Sequence, residues 1–250
     1  MKKNLEEYDE QQNGSKSVSY NDSGYLSCFS CYDEQASSGV CDICLELNTK
    51  ALTIRYPVIL KLLGEQVFVT VTNDYLIDSI GEFTDIDNVG SDFSRYLKSN
   101  KLSSVYPYIS DLAALEWLIA TLPLAQTAHQ PTNKFSRFLF SRSYQLKVCL
   151  SSSVELFESC LGAVEIWLTY QSGNQKCDLQ NKIEAKMSHY WIIKQSQQGL
   201  SLTPLASRDY WFYQKLQKNI SIGRLNQLFG RSMLQELLPP LLNSQHCQFA

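Results

Sequence analysis

The stretch that most limits what this chain can fold into runs from Tyr106 to Trp117 and on to Pro123. Leu112, Leu115, Leu118, Ile119 and Leu122 recur at three to four residues, the spacing of one buried face of an α-helix. Pro107 has a fixed φ and no amide hydrogen, which suits a first helical turn. Asp111 falls early, where a carboxylate meets the positive end of the helix dipole. Pro123 ends the pattern, so a helix is predicted to stop near Leu122.

Elsewhere the punctuation is equally local. Residues 1–27 are polar and rich in Ser, Asn, Gln and acids, and read as a mobile arm. A helix is predicted from Asp42. Pro57 opens a further helix and Gly64 closes it. Val67 to Thr72 alternates like a strand and is β-branched. Residues 77–90 look like a loop, after which Ser91 offers an N-cap to a helix bearing Phe93, Tyr96 and Leu97. A linker is expected at 125–133. Beyond it the period shortens to two. Leu146, Val148 and Leu150 alternate as in a strand, while Ser151, Ser152 and Ser153 read as a cap for a short helix reaching Phe157. Residues 171–186 are polar and read as an exposed loop. His189 to Lys194 looks like a strand, Gln197-Gln198-Gly199 a turn and Leu200 to Leu205 a return strand. Helices follow at about 206–218 and 222–229, the second capped by Ser221. Helices first and strands later predict an α+β fold. It would comprise a helical bundle over 28–124 and a smaller winged-helix-like α+β domain with a short antiparallel sheet over 134–250.

Three blocks carry a family resemblance. Residues 52–76 contain Tyr56-Pro57-Val58, then Leu62-Leu63-Gly64-Glu65 and Phe68. The second block is Asp111-Leu112-Ala113-Ala114-Leu115-Glu116-Trp117. The third, residues 153–167, ends in Ile166-Trp167. Together and in this order they resemble the HvfC/BufC family, whose N-terminal part carries the label "putative DNA-binding domain". The resemblance covers about residues 41–229, with Pro57, Gly64, Asp111, Leu115, Glu116 and Trp117 as its signature positions. It implies a helix across Val67 to Thr72, against the local alternation. It also implies a non-catalytic accessory subunit that recognises the leader of a small Cys-containing precursor peptide. Its other partner would be an iron-dependent TIM-barrel enzyme that modifies the precursor's cysteines. Glu116 is expected to anchor helix packing.

Charge bears on the alternative, a DNA-binding regulator. The net charge is −3, whereas proteins dedicated to duplex DNA show a positive balance. The distribution is uneven, with 9 Lys/Arg against 18 Asp/Glu in residues 1–130 and 13 against 7 in residues 131–250. Between Lys186 and Arg231, seven basic residues accompany Asp209 alone. Such a surface fits an acidic peptide or a phosphate backbone equally. No apolar run reaches the roughly 18 residues of a membrane span, and Met1 to Glu7 lacks the apolar core of a secretion signal. A soluble, cytoplasmic protein is expected.

Four of the eight cysteines form two close pairs, Cys28 with Cys31 and Cys41 with Cys44. Thiolates so spaced can grip one ion from a tight knuckle, and two pairs complete a tetrahedral zinc shell. An iron–sulfur cluster would use the same ligands. The resemblance does not require these cysteines. Cys149, Cys160, Cys177 and Cys247 are scattered, and Cys149 and Cys160, in apolar surroundings, read as packing residues. His129, His189 and His246 have no partner at metal or triad spacing. No Gly-rich phosphate loop and no GxSxG elbow occurs, so no catalytic residue is assigned. For peptide binding the candidates are Tyr190, Trp191, Ile192, Ile193, Lys194 and Trp211, on a hairpin whose sheet edge could accept an added strand.

Overall fold

The computed structural model describes residues 18–20, 26–28, 42–79, 86–125, 145–159, 162–172, 190–244 and 246–249. The architecture is α+β, an N-terminal helical bundle followed by a smaller part built on antiparallel sheets. Contacts divide the chain into two compact units, 1–54 with 66–89 and 55–65 with 90–250. The boundary expected at 125–133 therefore falls inside the second unit. Residues 126–133 lie outside the described residues, as do 173–186 of the predicted polar loop.

In the first unit, Val18–Tyr20 (β1) and Leu26–Cys28 (β2) pair antiparallel, and all of these residues but Cys28 fall in the segment that reads as an arm. Helix α1 spans Asp42–Arg55 and α3 spans Glu65–Asp78. Thr49 Oγ1 on α1 donates to Asn73 Oδ1 on α3 at 3.0 Å. The alternating run Val67 to Thr72 is helical. Phe68, Val71, Thr72, Tyr75 and Leu76 are buried at the spacing of one helix face, and tertiary burial overrides the β-branched preference.

The second unit begins with Pro57–Leu63 (α2), with Pro57 at its first turn. Gly64 ends it at φ 78° and ψ 159°, and its N–H donates to Leu60 O at 2.9 Å. That conformation is close to glycine-only. Helix α4 spans Phe93–Ser99, α5 Leu102–Val105 and α6 Ile109–Thr121. Two sequence expectations shift here. Asp92, not Ser91, takes the N-cap position of α4, and its carboxylate pairs with Arg95 at 3.1 Å. Pro107 lies in a turn just before α6, closed by Ile109 N–H on Tyr106 O at 3.0 Å.

Strand β3 (Lys147–Leu150) buries Val148 and Leu150, as their alternation predicts. The serine run does not cap a helix. Val154–Glu158 is strand β4, and Ser151 to Val154 is a turn closed by Val154 N–H on Ser151 O at 3.0 Å. The run Val-Glu-Leu-Phe finds a long-range partner in Tyr190–Ser196 (β5), which a short capped helix could not supply. Helix α7 (Ala163–Gln171) intervenes. Strand β5 pairs on its other side with Gly199–Pro204 (β6), giving the order β4-β5-β6. Helix α8 is Ser207–Leu216 and β7 is Ile220–Ser221. Helix α9 covers Ile222–Asn243, with Ser221 Oγ accepting from Arg224 N–H at 3.3 Å. Gly230 breaks α9 at φ 79° and ψ 160°, just past the predicted end at 229. The stretch beyond, with Pro239 and Pro240, lies past the helix that the sequence pattern predicts. It stays helical because Leu234, Leu238, Leu241 and Leu242 bury one face, and the carbonyls the prolines leave unpaired belong to exposed Gln235 and Glu236. Strand β8 (Cys247–Phe249) completes a second sheet, β7-β3-β8.

The β4-β5-β6 sheet is covered on both faces. Trp191, Ile193 and Phe157 pack with Leu115 and Leu122 of the α6 region and Val164 of α7. Ile192 and Val154 pack with Phe212, Leu216, Leu225, Leu234 and Leu238 on the other side.

Candidate functional site

Residues 55–65 of the first resemblance block meet the second and third blocks in the second unit. Glu116 is 2 % exposed. Its Oε1 accepts from Val58 N–H at 2.7 Å and its Oε2 from Ile59 N–H at 3.1 Å, so one carboxyl satisfies two of the orphan amides at the start of α2. Burial raises its pKa to about 7, against the downward pull of those amides and of Lys61. Tyr56, fully buried, donates its hydroxyl to Gly90 O at 2.6 Å. The Arg55 guanidinium stands 5.3 Å from the ring centre of Trp117. Asp111 Oδ2 accepts from Ser159 Oγ at 3.2 Å, and Ser159 Oγ accepts from Ala163 N–H at 3.2 Å, so a buried serine ties the start of α6 to the start of α7. Leu115 sits in the core against Phe157 and Trp191. Pro57 and Gly64 delimit α2. All six signature positions are thus accounted for by packing and helix ends.

The hairpin residues part company. Strand β5 has its main chain paired on both sides, by β4 and by β6. It therefore cannot itself accept an added strand, and the outer edge of the hairpin is β6. Trp191, Ile192 and Ile193 are core residues. Tyr190 stacks on Tyr210 with ring centres 4.2 Å apart, and Trp211, 51 % exposed, meets Tyr210 edge-on at 6.4 Å.

Among the described residues the sheet has two edge strands, β4 and β6, each paired only with β5, and the edge that belongs to the hairpin is β6. Leu205 N–H donates to Tyr190 O at 2.7 Å. With the register of Ile192 on Thr203, Lys194 on Ser201 and Ser196 on Gly199, these are the hydrogen-bonded pairs. Leu200 and Leu202 therefore turn N–H and C=O outward, while Pro204 can offer only C=O. Their side chains remain half-buried against the core that holds Trp191. The edge is short and carries a proline at one end, as solvent-facing edges commonly do.

Beside the turn end of this edge lies a polar groove of 550 Å³, lined by Lys194, Gln197, Gln198, Ser201, Ser244 and His246 among others. Lys194 Nζ donates to the Ser244 carbonyl at the C-terminal end of α9. His246 Nδ1 is buried and has no hydrogen-bond partner among the described residues. Burial, and after it the Lys194 charge, lowers its imidazole to about 4, so it is neutral at pH 7. Within the basic segment, Arg208 is matched by Asp209 at 3.2 Å and by Glu236 at 3.0 Å.

Cys31 and Cys41 lie outside the described residues, as do the side chains of Cys28 and Cys44. Among the described residues no group of three or more His, Cys, Asp or Glu could hold a metal ion. Cys247 is buried, which pushes its thiol up, and Cys149 is partly exposed; both are free. His129, His189, Cys160 and Cys177 lie outside the described residues. No helix among those described is long and apolar enough to cross a membrane. The fold and site define an α+β protein in which the β6 edge of an antiparallel sheet lies next to a polar groove. No protein-family model and no curated protein matches the chain.

Proposed function

We propose that this protein is a non-catalytic, cytoplasmic accessory subunit that recognises the leader of a small Cys-containing precursor peptide. It would hold that peptide for an iron-dependent TIM-barrel enzyme that modifies the precursor's cysteines. The observation that carries the reading is the outward-facing main chain of Leu200 and Leu202 on β6. An extended peptide bonding there would gain main-chain affinity without disturbing any pairing of the sheet. The second and third HvfC/BufC-like blocks support it, since they contribute Leu115, Phe157, Val164 and Trp167 to the core that backs this sheet. Leu202→Pro removes an outward N–H and no bond to β5. It is expected to weaken capture of a co-expressed precursor at least tenfold while far-UV circular dichroism stays unchanged. Undiminished capture by the variant, or no co-purification of the parent with enzyme or precursor, would sink the proposal. Salt-dependent binding of duplex DNA near physiological ionic strength would instead favour the regulator reading.

A structural zinc held by Cys28, Cys31, Cys41 and Cys44 belongs to the same proposal, as a local reinforcement. Elemental analysis of the reduced, purified chain should find about one zinc per molecule. Its absence from Cys-intact protein would remove the site.

A further inference from the structure

We propose that the groove at the turn end of β6 is a subsite for a glutamate side chain of the docked peptide, with Lys194 supplying the counter-charge. The inference rests on strand addition at β6 and adds to it the chemistry and register of what is recognised.

An added strand alternates its side chains in step with its neighbour. The peptide residue opposite Ser201 projects on the Ser201 side of the sheet. Lys194 is directly across from Ser201 on β5, so it shares that side. The groove opens there, bounded by Lys194, Ser201, Ser244 and His246. Lys194 lies two strand spacings, about 10 Å, from the main chain of an added strand. A glutamate and a lysine side chain, each extended, cover that distance together.

The lining fits a carboxylate. Among the described residues it has no acidic one, while Gln197, Gln198, Ser196 and Ser201 add neutral hydrogen-bonding groups. An ammonium carries three donors, and the Ser244 carbonyl takes one. That carbonyl bond also holds the side chain in position, so little ordering remains to be done on binding. His246 also lines the groove, and its imidazole brings no negative charge there. A chain with an acidic first half and a net charge of −3 thus keeps a groove lined, among the described residues, by a lysine and no acid where the β6 edge begins.

The test uses the full chain and a series of fluorescein-labelled ten-residue Thr/Val peptides. They are identical except for one glutamate moved along the sequence, and each has a glutamine counterpart. Anisotropy titrations should show glutamate favoured over glutamine at least tenfold in one register. That preference should fall to within twofold in Lys194→Gln. It should fall likewise in Gln198→Glu, which adds a repelling carboxylate without touching the lysine. Binding with no glutamate preference would overturn the subsite and leave strand addition intact. A preference that survives both variants would also overturn the subsite. No binding by any peptide would overturn strand addition and the subsite with it.

Discussion

Glu116→Ala is expected to destabilise the folded chain by about 4 kcal/mol. Removing the carboxyl strands two buried amides, Val58 and Ile59, that water cannot reach, and each unsatisfied donor costs about 1–3 kcal/mol. A cavity in the core next to Leu115 adds to this. Glu116→Gln keeps one acceptor and sets an NH2 against the second amide, so about 2 kcal/mol is expected. The two substitutions also separate packing from charge. The amides favour the carboxylate, the dry surroundings favour the acid, and burial prevails, with a folded pKa of about 7 against the ordinary 4.5. An acid raised in this way binds its proton more tightly when folded. The stability it contributes is full below pH 4.5 and is lost as pH rises through 7. His246 runs the other way. Its imidazole is lowered from 6.5 to about 4, so its contribution is full above pH 6.5 and is lost as pH falls through 4. The two slopes oppose each other over nearly the same window. Urea midpoints measured from pH 4 to 7.5 should therefore give a difference curve, Glu116→Gln minus parent, that rises with pH. The corresponding curve for His246→Asn should fall. Parallel profiles for parent and Glu116→Gln would show that the carboxyl does not titrate in this range.

Leu115→Ala is expected to cost about 3 kcal/mol, the usual range for emptying a fully buried leucine site being about 2–5. Leu115 is 0 % exposed and belongs to the cluster containing Phe157, Val164, Trp191 and Ile193. That cluster joins helix α6 to the sheet bearing the open edge. The substitution should lower the thermal midpoint read by helix signal and by tryptophan fluorescence together. If fluorescence from Trp191 and its neighbours held while only the helix signal shifted, α6 would not be supporting the sheet in this way. Leu115→Met, close in volume, should cost less than about 1.5 kcal/mol.

The sequence by itself determined those features whose cause lies within a few residues. Pro57 and Gly64 delimit α2 because one lacks an amide hydrogen and the other alone accepts φ 78° with ψ 159°. Gln197-Gln198-Gly199 turns the chain, Ser221 caps α9, and the three-to-four spacing of Leu112, Leu115 and Leu122 marks one buried face of α6. Glu116 was legible as a packing anchor, but not which amides it would serve, since Val58 is 58 residues away. Where local chemistry and distant partners disagreed, the partners decided. Ser151 to Ser153 could have capped a helix, yet Val154–Glu158 is a strand because β5 pairs with it and both faces of the sheet are covered. The same holds for the candidate site. Tyr190–Ser196 and Gly199–Pro204 were both readable as strands, but nothing local to either says which stands at an edge. Strand order is settled by which residues far along the chain supply hydrogen bonds and apolar cover. It was therefore tertiary structure alone that placed Trp191 in the core, left Trp211 exposed, and turned the amides of Leu200 and Leu202 outward.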